Sequence, residues 1–139
     1  MANHLRANLR WSVRLGVLVA ALLTSNRSYS ADDKQICYFS NEGTARSNEV
    51  RLDACNRVLS RPGLAKAELA IAYFSRGLAW VRKGEFDIGI RDYSAAIDMD
   101  IAELQANAYY NRGRAYQRKG DVDGAMQDYE ETIKLNPNL

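Results

Sequence analysis

Closely spaced carboxylates, a residue type used in general acid–base catalysis, occur at Glu85 with Asp87, at Asp121 with Asp123, and at Glu130 with Glu131. A glycosidase needs two carboxylates opposed across a cleft, one of them with a raised pKa. Pairs this close along the chain are more typical of turns, where they cap helices, and of solvated helix faces. The segment 121–124 also lacks the later oxygen ligands of a calcium loop. We therefore expect no catalytic carboxylate pair and no calcium site.

Residues 31–139 contain no histidine that could activate a nucleophile or bind a metal ion. His4 is the only one in the chain, so serines such as Ser75 and Ser94 have no imidazole to activate them. Two cysteines without a neighbouring histidine are also too few ligands for a structural zinc ion. The sequence thus predicts a protein that is not an enzyme and that uses no metal and no cofactor.

The first thirty residues have the composition of an export signal. Three arginines precede the nine-residue apolar run 15–23, and small residues, Ser28 and Ser30, precede a cut after residue 30. Nine apolar residues are fewer than the roughly 20 that span a bilayer. The segment contains no adjacent Arg-Arg pair, which the twin-arginine export route would require. We predict a cleaved secretory signal peptide over 1–30, export by the general secretory route, and a periplasmic location. A buried helix or an uncleaved anchor is the alternative.

The remainder of the chain is slightly acidic. Residues 31–139 hold fifteen Lys and Arg against seventeen Asp and Glu, a net charge of −2. Such a domain has no electrostatic reason to bind nucleic acid. We therefore expect no nucleic acid among its partners, and no membrane contact after the signal is cleaved.

Two cysteines, Cys37 and Cys55, lie beyond the predicted cleavage point. An even pair in an oxidising compartment usually forms a disulfide. Their separation of 18 residues is unlike the C-x-x-C spacing of a redox motif. We predict a structural disulfide, with two free buried thiols or a redox role as alternatives.

The chain repeats itself at an offset of 36 residues. Residues 70–101 align with 106–137, and thirteen of these 32 positions are identical. In each copy an Arg-Lys-Gly run separates two segments with helical periodicity, so each copy is predicted to be a pair of helices around a glycine turn. Asp123 is predicted to cap the second helix of the second copy. Gly77 and Gly113 fall within helices, where glycine costs about 1 kcal/mol relative to alanine, and therefore indicate close helix–helix contact.

Residues 106–139 resemble a tetratricopeptide repeat in their length and in seven features: Tyr109, Gly113, Tyr116, the Gly120-Asp121 turn, Ala125, Tyr129 and Pro137. The first copy, over 70–103, departs from that pattern at Gly89, where alanine is usual, and at Asp100-Ile101 in place of Asn-Pro. The resemblance implies an all-α fold, a short right-handed solenoid of antiparallel helix pairs. It also implies that the protein binds other proteins.

Residues 31–69 are predicted to form a degenerate helical hairpin before the two repeats. A short first helix is expected over 32–39, a loop over 40–47 and a second helix over 50–59. Cys55 stands in this second helix where the repeats have tyrosine, so a hairpin would bring it opposite Cys37.

Basic and acidic residues lie symmetrically about each glycine turn. Arg76 and Asp92 are eight residues either side of Gly84, and Arg112 and Asp128 have the same relation to the next turn glycine. Residues so placed are level in an antiparallel hairpin. We predict an internal ion pair in each repeat, with a basic ligand pocket as the alternative.

The resemblance also implies that the first helix of each repeat lines a concave groove, and that its positions outside the core contact a bound protein or peptide. Transferred by position, these are Ile71, Phe74, Ser75, Leu78 and Val81 in the first copy, and Asn107, Tyr110, Asn111, Arg114 and Gln117 in the second. One end is apolar and the other is polar with one cation. A peptide with an apolar stretch and an acidic or polar end would fit.

We therefore predict a periplasmic scaffold or adaptor that binds a protein or peptide. The alternative is a self-associating module, a homo-oligomer in which the groove and an apolar C-terminal edge at Ile133, Leu135 and Leu139 bury each other.

Overall fold

The computed structural model describes residues 32–39 and 45–138, and the predicted signal peptide at 1–30 lies outside these residues. Six helices make up the described part, which contains no strand: α1 (32–39), α2 (Ala45–Leu59), α3 (Lys66–Arg82), α4 (Phe86–Asp98), α5 (Ala102–Lys119) and α6 (Val122–Leu135). The expected all-α helical-repeat fold is confirmed.

Consecutive helices pack against each other, and one further contact joins the repeats. From α2 onward each helix meets the next, and α3 also contacts α5, whereas α4 and α6 do not meet. Contact between the first helices of two repeats, without contact between their second helices, places α3 and α5 on the inner side of a curved layer.

Glycines end the first helix of each repeat, as predicted. Gly84 and Gly120 have φ angles of 87° and 91°, a left-handed conformation that glycine adopts without a steric penalty. The predicted cap at Asp123 is wrong. Asp121 is the N-cap of α6, and its carboxylate accepts a hydrogen bond of 2.9 Å from the backbone N–H of Gly124. Since α6 begins at Val122, Asp123 already lies within its first turn.

The helices begin earlier than the sequence pattern indicated. Helix α2 starts at Ala45, within the predicted loop 40–47, and α3 and α5 start four residues before positions 70 and 106. At α3, the Glu68 carboxylate accepts a hydrogen bond from the backbone N–H of Ala65, which supports the earlier start. At α5, residues with high helix propensity extend the helix to Ala102.

Two clusters of buried side chains form the core. The first joins the N-terminal hairpin to α3 through Cys37, Ala54, Cys55, Val58 and Ala72. The second lies between α4 and α5 and consists of Ile90, Tyr93 and Ala115, with partly buried residues of α3 packed against it. The second cluster positions the inner helices relative to each other.

Candidate functional site

An ion pair joins the two helices of each repeat. In the first, Arg76 donates from Nε and Nη2 to the Asp92 carboxylate at 2.8 and 2.7 Å. In the second, Arg112 donates in the same way to Asp128, again at 2.8 and 2.7 Å. Both carboxylates are buried. The predicted internal pairs are confirmed, and the alternative of a basic ligand pocket at these arginines is wrong.

The same arginines also reach the preceding helix pair. Arg76 Nη1 donates to Asn56 Oδ1 on α2 at 2.9 Å, and Arg112 Nη1 donates to Ser94 Oγ on α4 at 2.8 Å. The hydrogen bonds with Asp128 raise the pKa of Arg112, so it stays charged. Each arginine therefore fixes both the hairpin and its register against its neighbour.

The mid-helix glycines allow a tyrosine to lie directly against the first helix. A Cβ added at Gly77 would be 3.0 Å from Tyr93 Cε1, and one added at Gly113 would be 2.9 Å from Tyr129 Cε1. The expected close helix–helix contact is confirmed at both positions. The tyrosine rings contact the aromatic side chain one turn earlier on the first helix, Phe74 in one repeat and Tyr110 in the other.

A disulfide replaces this glycine–tyrosine contact in the N-terminal hairpin. Cys37 and Cys55 are bonded, with an S–S distance of 2.09 Å and a Cα–Cα distance of 4.9 Å. Both residues are fully buried. Nearby, the buried Asp33 carboxylate accepts hydrogen bonds from Arg57 and Arg61, so this hairpin has its own buried carboxylate held by two arginines.

The residues predicted to line the groove are not equally accessible. Ile71 and Tyr110 are 36% and 38% exposed, and Asn107, Arg114 and Gln117 are exposed on α5. Asn111 is half-buried and donates a hydrogen bond to the backbone oxygen of Asn107. The second-repeat positions therefore offer a polar surface.

The apolar half of the predicted groove is largely used for packing. Ser75 is 5% exposed, so little of its surface is available to a ligand. Phe74, Leu78 and Val81 pack against the cluster between α4 and α5. The reason is that α3 is flanked by α5 as well as by α2 and α4, so part of its inner face is covered.

A pocket of about 230 Å³ lies between α3 and α5. Its lining combines apolar, hydroxyl, amide and guanidinium groups: Leu78, Val81, Arg82, Tyr93, Asn111, Arg114 and Arg118. Leu78, Asn111 and Arg114 belong to the predicted groove. The pocket thus contains an apolar wall and three cations.

The three guanidinium groups form no ion pair with any carboxylate in the described part of the chain. Arg118 is held in place because it donates to the Val81 carbonyl at 3.4 Å and stacks over the Phe86 ring at 4.8 Å. Burial raises the pKa of the Tyr93 hydroxyl, and the positive charges of Arg82 and Arg114 oppose that rise. The electric field of both arginines therefore reaches the tyrosine at the base of the pocket. An acidic group bound in the pocket would be attracted by three positive charges.

Sequence reasoning missed Arg82 and Arg118. They occupy equivalent places in the two repeats, within the Arg-Lys-Gly runs. Basic residues are common in the last turn of a helix, so their presence there needed no functional explanation. The signal that could have identified them is the helix face on which they lie. Arg82 lies four residues after Leu78 and Arg118 four after Arg114, so each shares a helix face with a predicted groove residue.

One member of each carboxylate pair has a structural role. Asp121 caps α6, Asp87 pairs with Lys119 at 2.6 Å, and Glu131 pairs with Lys134 at 2.6 Å. Among residues 32–39 and 45–138, no group of three or more His, Cys, Asp or Glu side chains could hold a metal ion. The helices there also include none long and apolar enough to cross a membrane.

Comparison with known protein families identifies the second repeat. Residues 106–139 match the family model of the tetratricopeptide repeat, which covers α5 and α6. No curated protein matches the chain.

Proposed function

Because this chain carries a tetratricopeptide repeat, a fold that serves as a scaffold for protein–protein interaction, we propose that it holds an acidic segment of a partner protein against α3 and α5. The bound segment would place a carboxylate among Arg82, Arg114 and Arg118 and an adjacent apolar side chain against Leu78 and Val81. This makes the protein a binding scaffold or adaptor.

The observation that carries the proposal is the concentration of unpaired positive charge in one concave pocket. Residues 31–139 are net acidic, and Arg76 and Arg112 are each neutralised by a buried aspartate. The pocket arginines have no such partner among the described residues. A guanidinium group can hold a carboxylate through two parallel hydrogen bonds.

A periplasmic location is part of the proposal. It is supported by the export-signal composition of residues 1–30 and by the disulfide between Cys37 and Cys55, since disulfides persist in oxidising compartments. An exported scaffold would meet partners in the bacterial envelope.

Selection from a random peptide library tests the binding mode. The wild-type chain is the bait, and a variant with Arg82→Glu, Arg114→Glu and Arg118→Glu is the counter-selection. Arg91→Glu is the matched control because Arg91 is exposed on α4, outside the pocket. We expect enriched peptides to contain Asp or Glu beside an apolar residue, and to bind wild type and the Arg91 variant but not the triple variant. Peptides without acidic residues, or equal binding to all three proteins, would contradict the proposal.

Self-association through the groove is the competing function. It predicts that a concentration-independent dimer excludes the selected peptides, whereas the scaffold predicts one peptide bound per chain. Sedimentation of the full chain with and without peptide distinguishes the two.

A further inference from the structure

Two helix–helix interfaces in this chain use the same pair of polar contacts. Between α2 and α3, Lys83 pairs with Glu49 at 3.5 Å, and Arg76 donates to Asn56 at 2.9 Å. The two acceptors are seven residues apart on α2, and the two cations are seven residues apart, Arg76 within α3 and Lys83 at its C-cap.

The interface between α4 and α5 repeats this pattern. Lys119 pairs with Asp87 at 2.6 Å, and Arg112 donates to Ser94 at 2.8 Å. Again both pairs have a spacing of seven residues. At both interfaces the cation that comes earlier in the sequence, Arg76 or Arg112, pairs with the acceptor that comes later on its helix. The incoming helix therefore runs antiparallel to the helix that receives it.

Helix α6 carries the same acceptor pattern without an incoming helix in the described part of the chain. Asp123 and Glu130 stand 36 residues after Asp87 and Ser94. Both side chains are exposed, and neither forms an ion pair or hydrogen bond with another described residue. Two carboxylates thus occupy the places where each earlier helix receives a cation.

An apolar stripe accompanies these carboxylates. Val122, Met126 and Ile133 lie on one face of α6 and are 64%, 57% and 62% exposed. Their equivalents on α4 are Phe86, which is half-buried, and Ile90 and Ile97, which are both 8% exposed. The burial on α4 comes from its interface with α5, in which Ala115 packs with Ile90 and Tyr93.

We propose that this face of α6, defined by Val122, Met126 and Ile133 with Asp123 and Glu130, binds a helix from another polypeptide. The incoming helix would run antiparallel to α6, present small residues to the apolar stripe, and carry two basic side chains seven positions apart for the two carboxylates. Charge complementarity identifies this partner. Pairing with α6 of a second copy would instead bring two sets of carboxylates together, an unfavourable arrangement.

The chain itself provides the probe. A capped, fluorescently labelled peptide with the sequence of residues 102–119 carries Arg112 and Lys119 at the required spacing. Titration into the full chain is followed by fluorescence anisotropy, with circular dichroism used to check the fold of every variant. Met126→Asp is the disrupting variant, and Val50→Asp on α2 is the matched control because Val50 is also an exposed apolar residue.

We expect saturable binding to wild type and to the Val50 variant, and loss of binding to the Met126 variant. Replacing Asp123 and Glu130 by lysine should weaken binding by about tenfold, since two exposed attractions become repulsions. A peptide with Arg112→Glu and Lys119→Glu should recover that loss.

Absence of binding at millimolar peptide overturns the proposal, as does binding that ignores the α6 substitutions. A dimer of the full chain that Met126→Asp dissociates also overturns it, because a second copy would then be the occupant. The groove arginines lie on α3 and α5, so the glutamate variants of the library experiment should still bind this peptide even if the proposed groove function fails.

Discussion

Arg112 holds the carboxylate of Asp128 through two parallel hydrogen bonds of 2.8 and 2.7 Å. The Asp128 side chain is 5% exposed and that of Arg112 is 18% exposed, so water compensates little for a lost partner. The same geometry occurs between Arg76 and Asp92. This repeated pair holds the inner helix of each repeat against the second helix.

Asp128→Ala should lower the free energy of unfolding by about 3 kcal/mol, because Arg112 would keep a largely buried charge without its partner. Replacing both Arg112 and Asp128 by leucine should cost less than the single substitution, since the desolvated charges are then removed together. Urea unfolding of the full chain and a double-mutant cycle measure both effects. A coupling energy of zero would show that the pair contributes no stability.

Gly89→Ala should destabilise the fold by about 1–3 kcal/mol through overpacking. A Cβ at residue 89 would lie 2.4 Å from Val81 Cγ2 and 3.0 Å from the Gly77 carbonyl oxygen. Adding Val81→Ala should recover part of the loss, because only the first clash is removed. The second repeat has alanine at the equivalent place, Ala125, opposite Gln117. Thermal unfolding of the single and double variants tests this, and identical stabilities of wild type and the Gly89 variant would contradict it.

The 36-residue repeat was sufficient to predict the hairpins, the turn glycines and the Arg–Asp pairs, because these depend on spacing within one hairpin. The N-cap was predicted two residues late, since Asp121 and Asp123 are chemically equivalent and only backbone geometry separates them. The burial of Ser75 could not be predicted from the sequence, because its exposure depends on neighbouring helices. Arg82 and Arg118 were missed because their helix-ending position already explained them.

Removing the disulfide should weaken the N-terminal hairpin. In the chain-entropy model, closing a loop of this length stabilises the folded state by about 3 kcal/mol. Cys37→Ala with Cys55→Ala, or treatment with a reductant, should therefore lower the denaturant midpoint. The double variant is also the control for the reductant, which should not affect it. If reductant lowers the midpoint of both proteins equally, the bond between Cys37 and Cys55 is not the cause.

The stability of the fold should decrease at alkaline pH through Tyr93. Burial raises the pKa of its hydroxyl above the ordinary value of about 10. Above that pH the unfolded chain has released the proton while the folded chain retains it, so the free energy of unfolding falls as pH rises. Tyr93→Phe should reduce this fall, and Tyr110→Phe is the control because that ring is partly exposed. Equal pH slopes for wild type and Tyr93→Phe would contradict the role of this hydroxyl.

The central claim, that the concave face holds a partner protein, is tested most directly by a photo-crosslinking amino acid at Tyr110, which lies partly exposed on α5. The full chain is expressed in its own cells, irradiated, and the adduct is identified by mass spectrometry. We predict an adduct with a different envelope protein, linked at an acidic segment and lost when Arg82, Arg114 and Arg118 are replaced by glutamate. An adduct that contains only this protein's own sequence would identify the face as an assembly surface and contradict the account.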